Sequence, residues 1–372
     1  MIKEKISDNF ITQKDSLILY GIAILLMVFH HCFCLPERLN YDYIPVFFGF
    51  ETEARLAYIG KLCVAFYAFI SGYAFAKKNI HSQKIMRRMF ENFKIALSTL
   101  IKFYSKFWLV WVIFIPIGII FFGQPLDLDS IVKSLIFGGG YNGEWWYVYQ
   151  YLKFLFVFPF IEVFTFCLSN KNLQKRTLLV LISCTVLFIL FKNEMFVATI
   201  VKSIRTLLST YMIIFVISFV IGKTNIFEKI NNKITLPTSI CFVIILLVLV
   251  VRWCLVKNPR EVRYDILISP ILIFSIVTII HNKTGKESSL LKLLSYSGRY
   301  STYIWLIHTF WIYYFFQDIV LLPRYSILIF IWAFTISLLN AIVLTEIQKK
   351  LKIDRLTCNI SDYILRFSRR SN

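Results

Sequence analysis

Two adjacent histidines, His30 and His31, lie inside the first apolar run of the chain, Leu17–Phe33. A titratable side chain is costly in hydrocarbon and persists there where it meets a polar cavity or performs chemistry. An imidazole, with an unperturbed pKa near 6.5, is suited to take a hydroxyl proton as a general base. Tyr20 precedes His31 by eleven residues, which returns nearly to the same helix face about three turns away. His30 is rotated by about 100° from His31. It either meets a substrate from another side or ties two helices together through a hydrogen bond. His31 stands about 15 residues from the inner end of the run, roughly 22 Å of helix, so it is expected toward the outer leaflet.

A third intramembrane histidine occurs late in the chain, in Ile304-Trp-Leu-Ile-His308. Ser301, Trp305 and His308 follow i, i+4, i+7 spacing and share one helix face, with Arg299 just before them. His308 orients a substrate, relays a proton or packs; the residues alone leave the three open. On the outer side, Gly138-Gly-Gly-Tyr-Asn142-Gly-Glu144-Trp145-Trp146 leads into the fourth apolar run. Three consecutive glycines permit a tight turn or close backbone approach to a ligand. Interfacial belts account for Trp145 and Trp146, whereas Glu144 and Asn142 beside aromatic faces suit carbohydrate.

Cations gather elsewhere. Arg87 and Arg88 fall in the basic stretch Lys77–Lys94, and Lys102 and Lys106, at i and i+4, share a face beyond it. Such a cluster is either an amphipathic surface helix resting on lipid phosphates or a site for a cytosolic polyphosphate. Lys153 and Glu162 are nine residues apart in the fourth run and point to opposite faces, so they are not expected to pair.

The elements that must position these groups are long apolar helices. Apolar residues form 58% of 372 and the mean hydropathy is +0.68, against about 45–50% apolar in an ordinary soluble domain. At about 20 residues per crossing, ten spans are expected, near 16–35, 57–76, 107–123, 146–167, 178–191, 206–222, 236–255, 265–281, 300–317 and 326–346. The expected fold is all-α: a polytopic membrane bundle of about ten transmembrane helices in one domain, 1–372. The first span is read as retained rather than cleaved.

With the N-terminus inside, 28 of the 41 lysines and arginines fall on inner segments. That bias places both termini, 1–15 and the basic tail 347–372, in the cytoplasm. The net charge of +20 then reflects this bias and attraction to anionic lipid headgroups, so membrane lipid is an expected partner and nucleic acid is not. Eight cysteines are scattered, several inside apolar runs (Cys63, Cys184, Cys241). They read as small buried hydrophobes, with neither a disulfide framework nor a metal site at Cys32 and Cys34.

Four segments in order resemble the acyltransferase 3 family of membrane acyltransferases, which O-acylate cell-surface sugars. Tyr20-Gly-Ile-Ala-Ile-Leu-Leu-Met-Val-Phe-His-His31 is similar to its first span, where a basic residue stands eleven positions before a catalytic histidine. Phe66-Tyr-Ala-Phe-Ile-Ser71-Gly-Tyr73 resembles its second span, Glu144-Trp-Trp-Tyr with Phe158-Pro its later span, and Gly298-Arg-Tyr-Ser-Thr-Tyr-Ile-Trp-Leu-Ile-His308 its Gly-basic-x-Ser…His element. The chain departs from the family at Tyr20, which carries no cation.

The resemblance implies a ten-helix bundle that takes acyl-coenzyme A, usually acetyl-CoA, from the cytosol and passes the acyl group to a sugar hydroxyl outside. His31 would be the catalytic histidine, with Tyr20 and His308 in the same machinery. Lys102 and Lys106 would serve the coenzyme's phosphates, with Arg87, Arg88 and Arg299 as further candidates. His30, Ser71, Asn142, Glu144, Trp145, Trp146, Ser301 and Trp305 would line the substrate path, Tyr20 or Ser71 helping to hold the oxyanion. The expected acceptor is a surface polysaccharide or its lipid-linked precursor, met directly or through a partner, in a bacterial plasma membrane; a homo-oligomer is compatible with this. No metal is expected. Competing classes are a lipid-linked sugar flippase or transporter, a glycan polymerase, and a degenerate acyltransferase-like sensor, for which Tyr20 is the main argument.

Overall fold

Helices dominate because long apolar stretches in a bilayer must satisfy their backbone groups internally. A computed structural model of the chain describes residues 9–78, 80, 82–168, 209–258, 260–282 and 288–366. In order, its helices are α1 (Gln13–Phe33), α2 (Phe50–Ile59), α3 (Leu62–Ala76), α4 (Ile85–Phe121), α5 (Leu128–Phe137), α6 (Trp146–Cys167), α7 (Thr210–Thr224), α8 (Ile226–Lys233), α9 (Thr238–Leu255), α10 (Asp265–Asn282), α11 (Ser289–Arg299), α12 (Ser301–Thr309), α13 (Gln317–Leu321), α14 (Ser326–Lys350) and α15 (Ile353–Arg366). No strand occurs among the described residues; Ile44 and Tyr325 form an isolated bridge.

Among the described residues, seven segments are long and apolar enough to cross a membrane: α1, Phe50–Ala76, α4, Gly143–Cys167, α9, α10 and α14. An eighth is reached if α7 and α8, bent by 59° at Asn225, count as one. The expected span 178–191 lies outside the described residues. The expected third span, 107–123, is corrected: α4 starts at Ile85 and runs 37 residues, so Arg87, Arg88 and Lys94 of the basic stretch lie in its beginning rather than on a separate surface helix. The expected ninth span is broken, because α12 passes into a π-helical turn at Phe310–Tyr314 and then the short α13.

The chain divides into two compact units. The first comprises residues 1–23, 61–79 and 164–299. Here α3 lies close against α7 because Gly72 faces the Phe215 carbonyl and the Ser218 hydroxyl, and Gly222 faces Ala76. Small residues at such contacts let helix backbones approach, the packing available where lipid offers no hydrophobic drive between helices. The hairpin of α9 and α10 is clamped by Arg252 Nε to Asp265 Oδ1 at 2.7 Å, both side chains buried. Phe10 stacks on Phe274 beside Phe227.

The second unit comprises residues 24–60, 80–163 and 300–372. In it α4 packs against α12 and α15, and α14 against α12. Arg88 donates through Nε and Nη2 to Glu162, whose carboxylate is fully buried, while Asn92 donates to the same carboxylate. Lys153 lies over the Tyr149 ring at 4.3 Å, which accounts for a cation in an apolar span. Cys32, Cys34, Cys63 and Cys241 are buried thiols, whereas Cys167, Cys254 and Cys358 are exposed.

Candidate active site

α1 is apolar enough to span, and its last turn carries both histidines. The two rings meet edge-on at a centroid distance of 5.0 Å but differ in their other contacts. His30 is 2% exposed, and its Nδ1 is 2.9 Å from the Ala57 carbonyl on α2. Gly60 makes that approach close: a Cβ there would strike the Leu26 carbonyl and the His30 Cβ. His30 thus ties α1 to α2. Beyond His30, His31 meets the His308 ring at a centroid distance of 5.0 Å and the Tyr313 ring at 5.8 Å.

His308 is fully buried. Its Nδ1 donates to the carbonyls of Trp305 (2.8 Å) and Ile304 (3.1 Å), and a carbonyl can only accept. The neutral ring therefore keeps its lone pair on Nε2, which has no hydrogen-bond partner among the described residues. An unsatisfied buried N–H is expensive, so the neutral tautomer with an acceptor Nε2 is the form this pocket favours.

Tyr313 sits in the π-helical turn, closed by the Phe315 N–H donating to the Phe310 carbonyl. Turns of this kind insert a residue, re-aim side chains and recur at functional sites. The Tyr313 hydroxyl donates to the His31 carbonyl. Over the Tyr313 ring, 3.6 Å from its centroid, lies the Arg38 guanidinium. Arg38 also donates to Glu144 at 2.8 Å, and its carbonyl accepts from Gln317. In the loop outside the spans, burial lowers the pKa of Arg38, but the Glu144 carboxylate more than restores it, so the group remains a cation.

The loop before α6 is fastened to the same place. Asn142 caps its turn by accepting from the Glu144 N–H, and its amide donates to the Thr309 hydroxyl. Trp145, wholly buried, donates to the Leu306 carbonyl and meets Phe107 and Phe310 edge-on. Trp146 is half-buried, edge-on to Tyr147. Ser301 is buried, and Trp305 stacks on Phe103 beside Tyr147.

Of the sequence-expected residues, His31, His308, Glu144 and Asn142 gather through these contacts, with His30 edge-on to His31 and Trp145 against Phe310. Tyr20 and Ser71 belong to the first unit, where Tyr20 packs on Tyr67. Among the cations, Lys102 is exposed on α4 and Lys106 lies 5.7 Å from the Tyr303 ring centroid. Arg87 faces Glu91 at 3.7 Å on its own helix. Arg88 is the exception to its expected role as a phosphate ligand: Glu162 holds two of its nitrogens, and the Ser82 carbonyl the third. Arg299 belongs to the first unit. Arg38 and Tyr313 were missed by sequence reasoning. Arg38, the cation that follows the expected first span by three residues, was the available signal.

Seven or eight membrane-length helical segments among the described residues define a multi-pass membrane protein, in which paired imidazoles stand with a tyrosine, a guanidinium and a carboxylate. Residues 18–346, nearly the whole chain, match the family model described as an acyltransferase domain, and the chain belongs to this acyltransferase 3 family of membrane acyltransferases. Neither the curated proteins nor the solved structures compared with it include a match.

Proposed function

We propose that the chain moves an acyl group, acetyl being the simplest, from cytosolic acyl-coenzyme A to a hydroxyl of a glycan outside a bacterial plasma membrane, with both of its termini in the cytoplasm. The observation that carries this reading is the His31 ring set between His308 and Tyr313. His31 takes the acceptor hydroxyl's proton as the oxygen bonds to the thioester carbonyl carbon. The tetrahedral intermediate then collapses, the carbon–sulfur bond breaks, and the thiolate takes up the proton held by the imidazolium. The products are an ester and free coenzyme A. No metal enters this scheme.

The His308 ring packs beside that of His31 at a centroid distance of 5.0 Å, and its Nε2 is an acceptor within the same pocket. Arg38, Glu144 and the aromatic faces beside them offer the mixed donors, acceptors and ring planes that sugar hydroxyls require. Glycan acceptor and membrane lipid are the partners of this reading. Lys102, Lys106 and Arg87 remain cations on α4 for the donor's phosphates, while Arg88 is committed to Glu162.

The test compares surface glycans of cells carrying the wild-type gene, no gene, or His31→Ala, by mass spectrometry before and after mild alkali. An alkali-labile acyl mass present only with the wild type is the expected result. Full acylation by well-expressed His31→Ala removes the histidine mechanism. Unchanged acylation with glycan retained inside points instead to transport, and no change in either to a sensor, the reading Tyr20 favours.

A further inference from the structure

In the second unit, a groove of about 650 Å³ runs between α4 and α15, within the usual range for small-molecule sites. Its α4 wall extends from Leu100 to Val112, about 18 Å of helix, and belongs to a membrane-length segment. That is a little more than half of a hydrocarbon core about 30 Å thick. The α15 wall is the stripe Ile353, Leu356, Thr357 and Ile360, at i, i+3, i+4 and i+7. Leu356 and Ile360 stay exposed although α15 packs on α4, where the Ser361 and Ser98 hydroxyls meet.

Every side-chain donor in the lining is already used. Tyr104 donates to the Ile136 carbonyl and Trp108 to the Leu135 carbonyl, the latter at 3.1 Å. Ser105 donates to the Lys102 carbonyl at 3.0 Å and Thr357 to the Ile353 carbonyl at 2.6 Å. The first two bonds satisfy carbonyls at the end of α5 that have no partner within that helix. They are made by residues well inside α4, Trp108 standing about 20 Å of helix from Phe121. A sugar or nucleotide in such a groove would leave polar groups unpaired, whereas hydrocarbon leaves none.

Charge lies at the rim instead. Lys350 and Lys352, both exposed, stand on either side of the lining residue Leu351, in the turn from α14 to α15. Among the described residues no carboxylate lines the groove. Glu346 pairs with Lys349 at 2.7 Å, and Asp354 interacts with Lys106. A dry channel about a leaflet deep with a cationic lip complements an apolar chain that carries an anionic head.

We propose that this groove holds an acyl chain of an anionic phospholipid whose headgroup phosphate is bound by Lys350 and Lys352. The site gives membrane lipid a fixed place on the protein and does not depend on the acyl-transfer reading.

The test counts the lipids retained by the full purified chain in native mass spectrometry, while the detergent-solubilised protein is titrated with dioleoylphosphatidylglycerol or dioleoylphosphatidylcholine. The wild type is expected to take up a first phosphatidylglycerol more tightly than phosphatidylcholine. Lys350→Gln/Lys352→Gln should weaken that phosphatidylglycerol roughly ten- to thirtyfold and leave phosphatidylcholine unchanged. Lys350→Arg/Lys352→Arg should retain it, which separates lost charge from lost fold. Leu356→Trp fills the groove from an exposed position and should weaken both lipids. Leu339→Trp, similarly exposed on α14 but outside the lining, should weaken neither. His31→Ala retains the lipid, so a failed transferase assay does not count against the site. Equal uptake of the two lipids, undiminished phosphatidylglycerol in the glutamine pair, or equal losses in the two tryptophan variants overturns the proposal. A wild type that takes up palmitoyl-coenzyme A through Leu356 but no phosphatidylglycerol also overturns it, in favour of an acyl donor's chain.

Discussion

The rings of His31 and His308 meet at a centroid distance of 5.0 Å, tilted by 54°, and the backbone of α12 fixes which nitrogen His308 presents. A buried imidazole whose Nδ1 is bound to carbonyls can offer only Nε2 as an acceptor. His308→Phe keeps a ring in the space and removes that acceptor, whereas His308→Gln keeps an acceptor oxygen. Acyl transfer in membrane vesicles with a radiolabelled donor should fall by about 10²–10⁴-fold for His31→Ala. His308→Phe should lose more than His308→Gln at equal expression. A wild-type rate for His308→Phe makes that histidine a packing residue.

Arg38 has a second assignment to test, because its guanidinium both covers the Tyr313 ring and pairs with Glu144. Lysine keeps the charge but not the flat face or the fork of donors. Arg38→Lys should cost about 1–2 kcal/mol in this stacked site, roughly a five- to thirtyfold rise in acceptor KM. Tyr313→Phe keeps the ring under Arg38 and removes the hydroxyl that holds the His31 carbonyl, so its loss should appear in kcat. Steady-state kinetics with varied acceptor separate the two; a shared KM effect with kcat untouched removes the positioning role of Tyr313.

His31 and His308 are legible in the sequence because an imidazole in an apolar run stands out against its neighbours. Tyr313 is not, since it lies in the aromatic run Phe310–Phe316 and its aim depends on a π-helical turn that no periodicity announces. That same turn breaks the expected ninth span. The beginning of α4 hides its continuity with the third span, because Arg87, Arg88 and Glu91 make its first turns read as a surface helix. Glu162 looked unpartnered along its own helix; its partner is 74 residues away, a separation that helix-face arithmetic does not reach. The all-helical class and membrane character follow from composition alone, because apolar runs of this length have few other solutions.

The buried pair of Arg88 and Glu162 carries a stability prediction. Removing one partner of such a pair leaves an uncompensated charge and costs about 3–5 kcal/mol, whereas replacing both by apolar residues is often neutral or stabilising. Glu162→Leu should lower the unfolding temperature in detergent, and Arg88→Met/Glu162→Leu should recover most of the loss. The paired variant should also bind coenzyme A with wild-type affinity, because Arg88 serves Glu162 rather than a phosphate. Lost nucleotide binding in a stable paired variant would return Arg88 to the donor site.

Gly298 carries a second stability prediction. A Cβ added there meets the Leu17 carbonyl of α1 closer than real side chains approach backbone, so the helices must separate or tilt. Overpacking of this kind costs about 1–3 kcal/mol. Gly298→Ala is therefore expected to lower the unfolding temperature in detergent. Gly139→Ala is the matched control, because nothing lies within 4 Å of a Cβ at that loop position, and it should leave that temperature unchanged. If Gly298→Ala unfolds at the wild-type temperature, the contact between α1 and α11 is not fixed by glycine.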